Sequence, residues 1–145
     1  MESYFRKTIL QTCFETLIDE LVSRLETGGF VLCGVTDYQD MVLNKLQMHF
    51  RKYKVLAIES LEHAHALVSL SSVEGIVLPC SVTVAELYPG RIAVVRVNPT
   101  ALIARELQQD ELKNVSDEVT RKLDLLIGSL GHQPSTIPDL VTSWA

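Results

Sequence analysis

The stretch Gly75-Ile76-Val77-Leu78-Pro79-Cys80-Ser81-Val82-Thr83-Val84-Ala85-Glu86-Leu87-Tyr88-Pro89-Gly90-Arg91-Ile92-Ala93-Val94-Val95-Arg96-Val97-Asn98-Pro99 decides how the chain folds. Two runs rich in β-branched residues flank Pro89-Gly90, which predicts a long strand from Ile76 to about Leu87, a turn, and a returning strand from Arg91 to Val97. Asn98-Pro99 then opens a helix, because Asn favours the N-cap and Pro fits the first helical position, where its missing amide costs nothing. The hairpin brings antiparallel neighbours into the sheet, so a purely parallel doubly wound arrangement is disfavoured.

Upstream, Tyr4 to Leu10 reads as a first strand and Thr12-Cys13-Phe14-Glu15 as a capping box. Phe14, Leu17, Ile18, Leu21, Val22 and Leu25 recur at three and four residues as the apolar stripe of the first helix, which Gly28-Gly29 ends. Phe30 to Thr36 is the next strand, and Asp37 caps a short helix carrying Met41, Leu43 and Leu46. Tyr53 to Ile58 is a third strand, and Ser60 caps a helix expected to bury Leu61, Ala64, Leu67 and Val68. Beyond the hairpin, Leu102, Ile103 and Leu107 mark one helix, and the positions Leu112, Val115, Val119, Leu123, Leu126, Ile127 and Leu130 mark a longer one closed by Gly131.

The fold class that follows is α+β: a single domain over 1–131, with a mixed or antiparallel sheet, helices packed on it, and two C-terminal helices. Residues 132–145 form a C-terminal tail. It carries Trp144, the single Trp of the chain, with Ile137, Leu140 and Val141, a density that points to docking on the body or on a second copy.

Composition narrows the function classes. The 145 residues, 47% hydrophobic and 21% charged, are enough for one core without a disulfide or metal staple. A net charge of −5 disfavours a general nucleic-acid or anionic-membrane binder. Cys13, Cys33 and Cys80 form no CxxC pair and fit no zinc or disulfide framework, which suits a reducing compartment. The first seven residues lack an apolar signal region and no apolar run approaches the ~20 residues of a membrane span, so the expected location is cytoplasmic. No metal and no cofactor are expected.

Among residues that could carry chemistry, Cys80 stands out. Ile76, Leu78, Cys80, Val82 and Val84 share one face of the strand, so a small buried hydrophobe is the plain reading of Cys80. If Leu87 pairs with Ile92, Val84 faces Val95, Val82 faces Val97, and Cys80 falls opposite Pro99, beside the helix start capped by Asn98. Free amides there favour an anion, making Cys80 and Asn98 the candidate ligand-binding residues. No catalytic residue is assigned. His63 and His65 are two apart on a helix, diverge, and read as surface residues. His49-Phe50-Arg51-Lys52-Tyr53-Lys54 mixes basic and aromatic groups but reads as a strand-entry loop. Asp110, Glu111, Asp117, Glu118 and Asp124, interleaved with Lys113, Arg121 and Lys122, form a solvated helix face. There is no GxSxG nucleophile context and no Gly-rich phosphate loop.

Three stretches, Glu15 to Phe30, Phe50-Arg51-Lys52-Tyr53-Lys54-Val55-Leu56 and Gly75 to Val84, together resemble the domain of unknown function 302 family over about Tyr4 to Asn98. The resemblance implies a small bacterial or archaeal α+β domain, often dimeric, without an assigned activity. Ala57-Ile58-Glu59-Ser60-Leu61 departs from the Gly-x-Cys-Asn-Pro common in that family, Ser81 replaces an Asn, and Asn98 an Asp. The expectation is an uncharacterised, non-catalytic homodimeric module that binds a small ligand or protein partner, consistent with a mean hydropathy of +0.19. The alternative is a thiol-dependent enzyme or redox sensor using Cys80.

Overall fold

Strands and helices alternate along the chain in this computed structural model, which describes residues 5–70 and 78–131. They run β1 (Phe5–Gln11), α1 (Phe14–Thr27), β2 (Phe30–Asp37), α2 (Tyr38–Leu46), β3 (Tyr53–Ser60), α3 (Leu61–Leu70), β4 (Cys80–Tyr88), β5 (Arg91–Val97), α4 (Pro99–Glu106) and α5 (Asp110–Gly128). The strands form one five-stranded sheet in the order β1-β5-β4-β3-β2, with every pairing antiparallel. The fold is therefore α+β, and the sheet is antiparallel rather than mixed.

The pleat sorts the sheet into two faces. Leu10, Ile92, Val94, Val84, Val82, Cys80, Leu56, Ile58 and Phe30 belong to one buried cluster. Onto it pack Phe14, Leu17, Leu21 and Leu25 of α1, Leu67 of α3, Ala104 of α4, and Leu112, Val119, Leu123 and Ile127 of α5. Burying each large apolar side chain is worth roughly 1.5–3 kcal/mol, so this layer supplies most of the driving force.

Two polar ties orient α5 on that layer. Arg96 of β5 donates to Asp124 through Nε to Oδ1 and Nη2 to Oδ2, both at 2.8 Å, and its side chain is only 3% exposed. Asn98 donates through Nδ2 to the Ser116 carbonyl at 3.0 Å and to Thr120 Oγ1 at 2.9 Å.

Several local expectations are revised. Cys13, not Thr12, is the N-cap of α1, and no side chain caps it. The Glu15 carboxylate instead accepts from Lys52 Nζ at 2.6 Å, in a solvent-exposed ion pair. Asp37 does cap α2, accepting from the Asp40 amide at 3.0 Å. Yet Met41, Leu43 and Leu46 are exposed and α2 buries no residue: it follows the edge strand β2 and meets the sheet through Tyr38, whose ring lies edge-on to that of Tyr53 of β3 at 5.5 Å. In α3 only Leu67 is buried; Leu61 and Val68 face solvent. A bulge between Glu86 and Tyr88 moves the hairpin register by one, so Val84 faces Val94 and Thr83 faces Val95. Gly90 takes φ 90° in the turn, a value that L residues seldom adopt. Ile76 and Val77 of the expected long strand, and the tail 132–145, lie outside the described residues. Among the described residues no helix is long and apolar enough to cross a membrane.

Replacing Asp124 by Ala removes the carboxylate that holds both Nε and Nη2 of a buried guanidinium and is expected to lower stability by about 3 kcal/mol in urea unfolding. A change within about 0.5 kcal/mol, the usual range of surface substitutions, would show that solvent already screens the pair.

Candidate functional site

Cys80 opens β4 and is 5% exposed. Burial pushes its thiol up to about 12, the charge of Glu59 adds to this, and Arg96 opposes it. Because Ser81 pairs with Val97, Asn98 lies level with Cys80 one step beyond the paired strand, where the expected register had placed Pro99. The bulge at the far end of the hairpin is the cause. Asn98 holds the N-cap position of α4, but its side chain makes no capping bond there; its amide is directed to α5 instead. Thr100 closes the same corner, since its hydroxyl both accepts from the Leu78 amide at 2.9 Å and donates to the Leu78 carbonyl at 2.8 Å. The structure thus brings Cys80 and Asn98 together and encloses both.

His63 is not a simple surface residue. Its side chain is 12% exposed, with Nδ1 2.9 Å from Ser60 Oγ and Nε2 3.2 Å from Glu118 Oε2. A Ser-His-Glu array of this kind resembles a nucleophile relay, but a nucleophile must meet its substrate, and Ser60 is 1% exposed. The array straps the β3 to α3 junction onto α5. His65 is exposed as expected.

The open chemistry lies at the other end of the helical layer. Phe14, Glu15, Ile18 and Asp19 of α1, Gln39 of α2, and Lys52 and Lys54 at the start of β3 line a cleft of about 180 Å³. Its position follows from local structure: α1 begins at Phe14, so its first two turns project Glu15 and Asp19 on one side, four residues apart. Gln39 donates to the Phe50 carbonyl at 3.1 Å, which ties the loop before β3 to α2. The Glu15–Lys52 bond holds the Glu15 carboxyl below its ordinary pKa and the Lys52 ammonium above its own.

Cys13 adjoins this cluster, with Sγ 3.5 Å from Glu15 Oε1. The backbone amide of Thr16, in the first turn of α1, pulls its thiol pKa down. Charges of both signs in so small a space suit a compact polar or zwitterionic group. Typical drug-sized pockets occupy roughly 300–1,000 Å³, so this cleft takes a few atoms or one side chain.

Sequence reasoning missed this cluster because Glu15 read as a cap and Lys52 as part of a loop. One signal was available: Thr12-Cys13-Phe14-Glu15 puts a thiol at a helix start, the same argument that had drawn attention to Asn98. Among the described residues no group of three or more His, Cys, Asp or Glu converges as a metal site.

Native-state alkylation is expected to modify the exposed Cys13 and Cys33 while sparing Cys80 until the chain unfolds, read out by peptide mass spectrometry. Labelling of Cys80 as fast as of Cys13 would show that the Asn98 corner opens in solution.

The chain is similar to known proteins in sequence pattern and in fold. The sequence model described as "Domain of unknown function DUF302" matches residues 6–130. The crystal structure of an uncharacterised conserved DUF302 protein from Bacillus stearothermophilus is similar at a TM-score of 0.74 and 14% identity, covering 86% of this chain and 96% of that one. No curated protein matches the chain.

Proposed function

The chain belongs to the DUF302 family, and from that premise, which assigns no activity, we propose that it is a non-catalytic homodimeric module that binds a small polar ligand or a partner's side chain. The observation that carries this reading is the uncovered edge formed by β2 and α2. β2 is an edge strand of eight residues that exposes Val31, Leu32 and Val35 and carries neither Lys nor Pro. Natural sheets blunt such edges with Lys, Pro or bulges; β2 has a bulge at Cys33, between Leu32 and Gly34, but neither Lys nor Pro, and an edge of exposed apolar residues is a template for another strand. α2, immediately after it, adds exposed Met41, Leu43 and Leu46.

A second copy is the occupant that best fits. Antiparallel pairing of two β2 strands about a two-fold axis between Cys33 and Gly34 sets Asp37 of one copy opposite Phe30 of the other. The Phe30 ring carries Lys122 Nζ at 5.0 Å from its centroid, and that ammonium is paired with Glu62 at 3.2 Å. Gln39, which lines the cleft, belongs to α2, so each cleft would lie beside the interface. Ligand contact is assigned to Lys54, Asp19 and Gln39 of the cleft. Contact at Cys80 and Asn98 would require their enclosed corner to open. Two exposed free thiols, Cys13 and Cys33, support a cytoplasmic, reducing location.

A second reading, thiol-dependent catalysis or redox sensing, is favoured by one observation and at a different residue from Cys80. Cys13 is exposed, sits at a helix start, and has a lowered pKa, whereas the Cys80 thiol is buried and raised.

Light scattering at micromolar concentration is expected to return twice the 16.2 kDa chain mass, and Val35→Lys, which adds charge to the free edge, to return the chain mass alone. A wild-type monomer would remove the proposal.

A further inference from the structure

Inward-facing positions alternate along β3, and the alternation runs on past the apolar core. Leu56 and Ile58 belong to the core cluster, Lys54 shares their face of the strand, and Lys52 lies one residue before it. α1 packs on that face, and in its first two turns the acids Glu15 and Asp19 stand four residues apart, as do the apolar Phe14 and Ile18. Two carboxylates and two ammonium groups therefore meet at one end of the helical layer, around the cleft of about 180 Å³.

Only one ion pair is closed there. Glu15 holds Lys52 at 2.6 Å. The Asp19 carboxylate and the Lys54 ammonium line the same cleft, yet neither makes an ion pair or a side-chain hydrogen bond among the described residues. Opposite charges that border one cavity without meeting leave a gap bounded by both signs. Gln39 adds direction to it. Its Nε2 is committed to the Phe50 carbonyl at 3.1 Å, which leaves Oε1 as an acceptor.

The four charged side chains sum to zero, and this selects the chemistry of the occupant. An anion drawn to Lys54 meets Asp19, and a cation drawn to Asp19 meets Lys54, so a singly charged molecule is attracted and repelled in the same small space. A molecule carrying both charges satisfies both walls, with its ammonium on Asp19 and Gln39 Oε1 and its carboxylate on Lys54. Charge-assisted bonds of this kind are roughly twice as strong as neutral ones. Phe14 and Ile18 supply the apolar wall for the carbon atoms between the two charges. The cleft is smaller than the roughly 300–1,000 Å³ of drug-sized sites, which limits the occupant to a few carbons.

We infer that the cleft is a site for a small free amino acid, bound as the zwitterion between Asp19 and Lys54. The inference rests on the reading of this cleft as the ligand site, and it narrows that reading from any polar group to a molecule with both charges. It is independent of the β2 edge and of the dimer.

The probes are glycine, alanine, β-alanine and γ-aminobutyrate, set against propionate and propylammonium, which carry one charge each. Titrated into isotope-labelled protein, at least one amino acid is expected to shift the Gln39 side-chain amide resonance at millimolar concentration. It should bind about tenfold or more tightly than either singly charged probe, the loss that one charge-assisted hydrogen bond implies. Asp19→Asn should weaken that amino acid by a similar factor without weakening propionate, and Lys54→Gln should weaken it without weakening propylammonium, with far-UV circular dichroism unchanged in both. Propionate or propylammonium binding as tightly as every amino acid would overturn the inference and leave the cleft a site for a simple ion. A response to N-acetylated lysine amide or aspartate amide, with none to the free amino acids, would overturn it too and assign the cleft to a partner's side chain. Silence with every probe would remove both the inference and the reading of the cleft on which it rests.

Discussion

Every described helix that buries side chains buries them on the same face of the sheet, and the rest of the molecule answers to that asymmetry. A five-stranded antiparallel sheet has two faces and two edges, and the helical layer formed by α1, α3, α4 and α5 satisfies only one face. The apolar cluster between them provides the free energy, but apolar contact has no direction. Direction comes from Arg96 on Asp124 and from Asn98 on Ser116 and Thr120, which together set how α5 crosses the strands. These bonds are buried, so each partner depends on the other for its solvation.

Chemically capable side chains are buried at the centre and exposed at the margin. Cys80, Asn98 and Ser60 are buried and the His63 side chain is 12% exposed; Asn98 is bonded to α5, and His63 lies between Ser60 and Glu118. Cys13, Glu15 and Lys52 lie where α1 begins and β3 enters, so their charges remain in contact with water. A cleft of about 180 Å³ beside them is lined by charged and polar groups together with Phe14 and Ile18. The structural relative from Bacillus stearothermophilus, at 14% identity, shares the fold and shows nothing further about the site.

What the helices leave uncovered includes the β2 edge, which exposes backbone hydrogen-bonding groups flanked by Val31, Leu32 and Val35.

The sequence alone determined the elements and the class. Period-two and period-3.6 patterns are local properties, so β5 from Arg91 to Val97, the Asp37 cap and the α1 stripe through Phe14, Leu17, Leu21 and Leu25 were legible without a structure. Pattern also located Cys80 on a buried face. Only the tertiary structure decided which apolar faces find a partner: Met41, Leu43 and Leu46 have helical spacing, yet α2 lies beside an edge strand and buries none of them. It decided that the Glu15 carboxylate goes to Lys52, 37 residues away, and that the Asn98 amide goes to α5 rather than to its own helix start. One bulged residue between Glu86 and Tyr88 set which residue stands level with Cys80. The physical reason is common to all three. A residue's local pattern records its preference for apolar or polar surroundings, whereas its actual neighbour depends on strand order and register, which arise from the sum of long-range contacts.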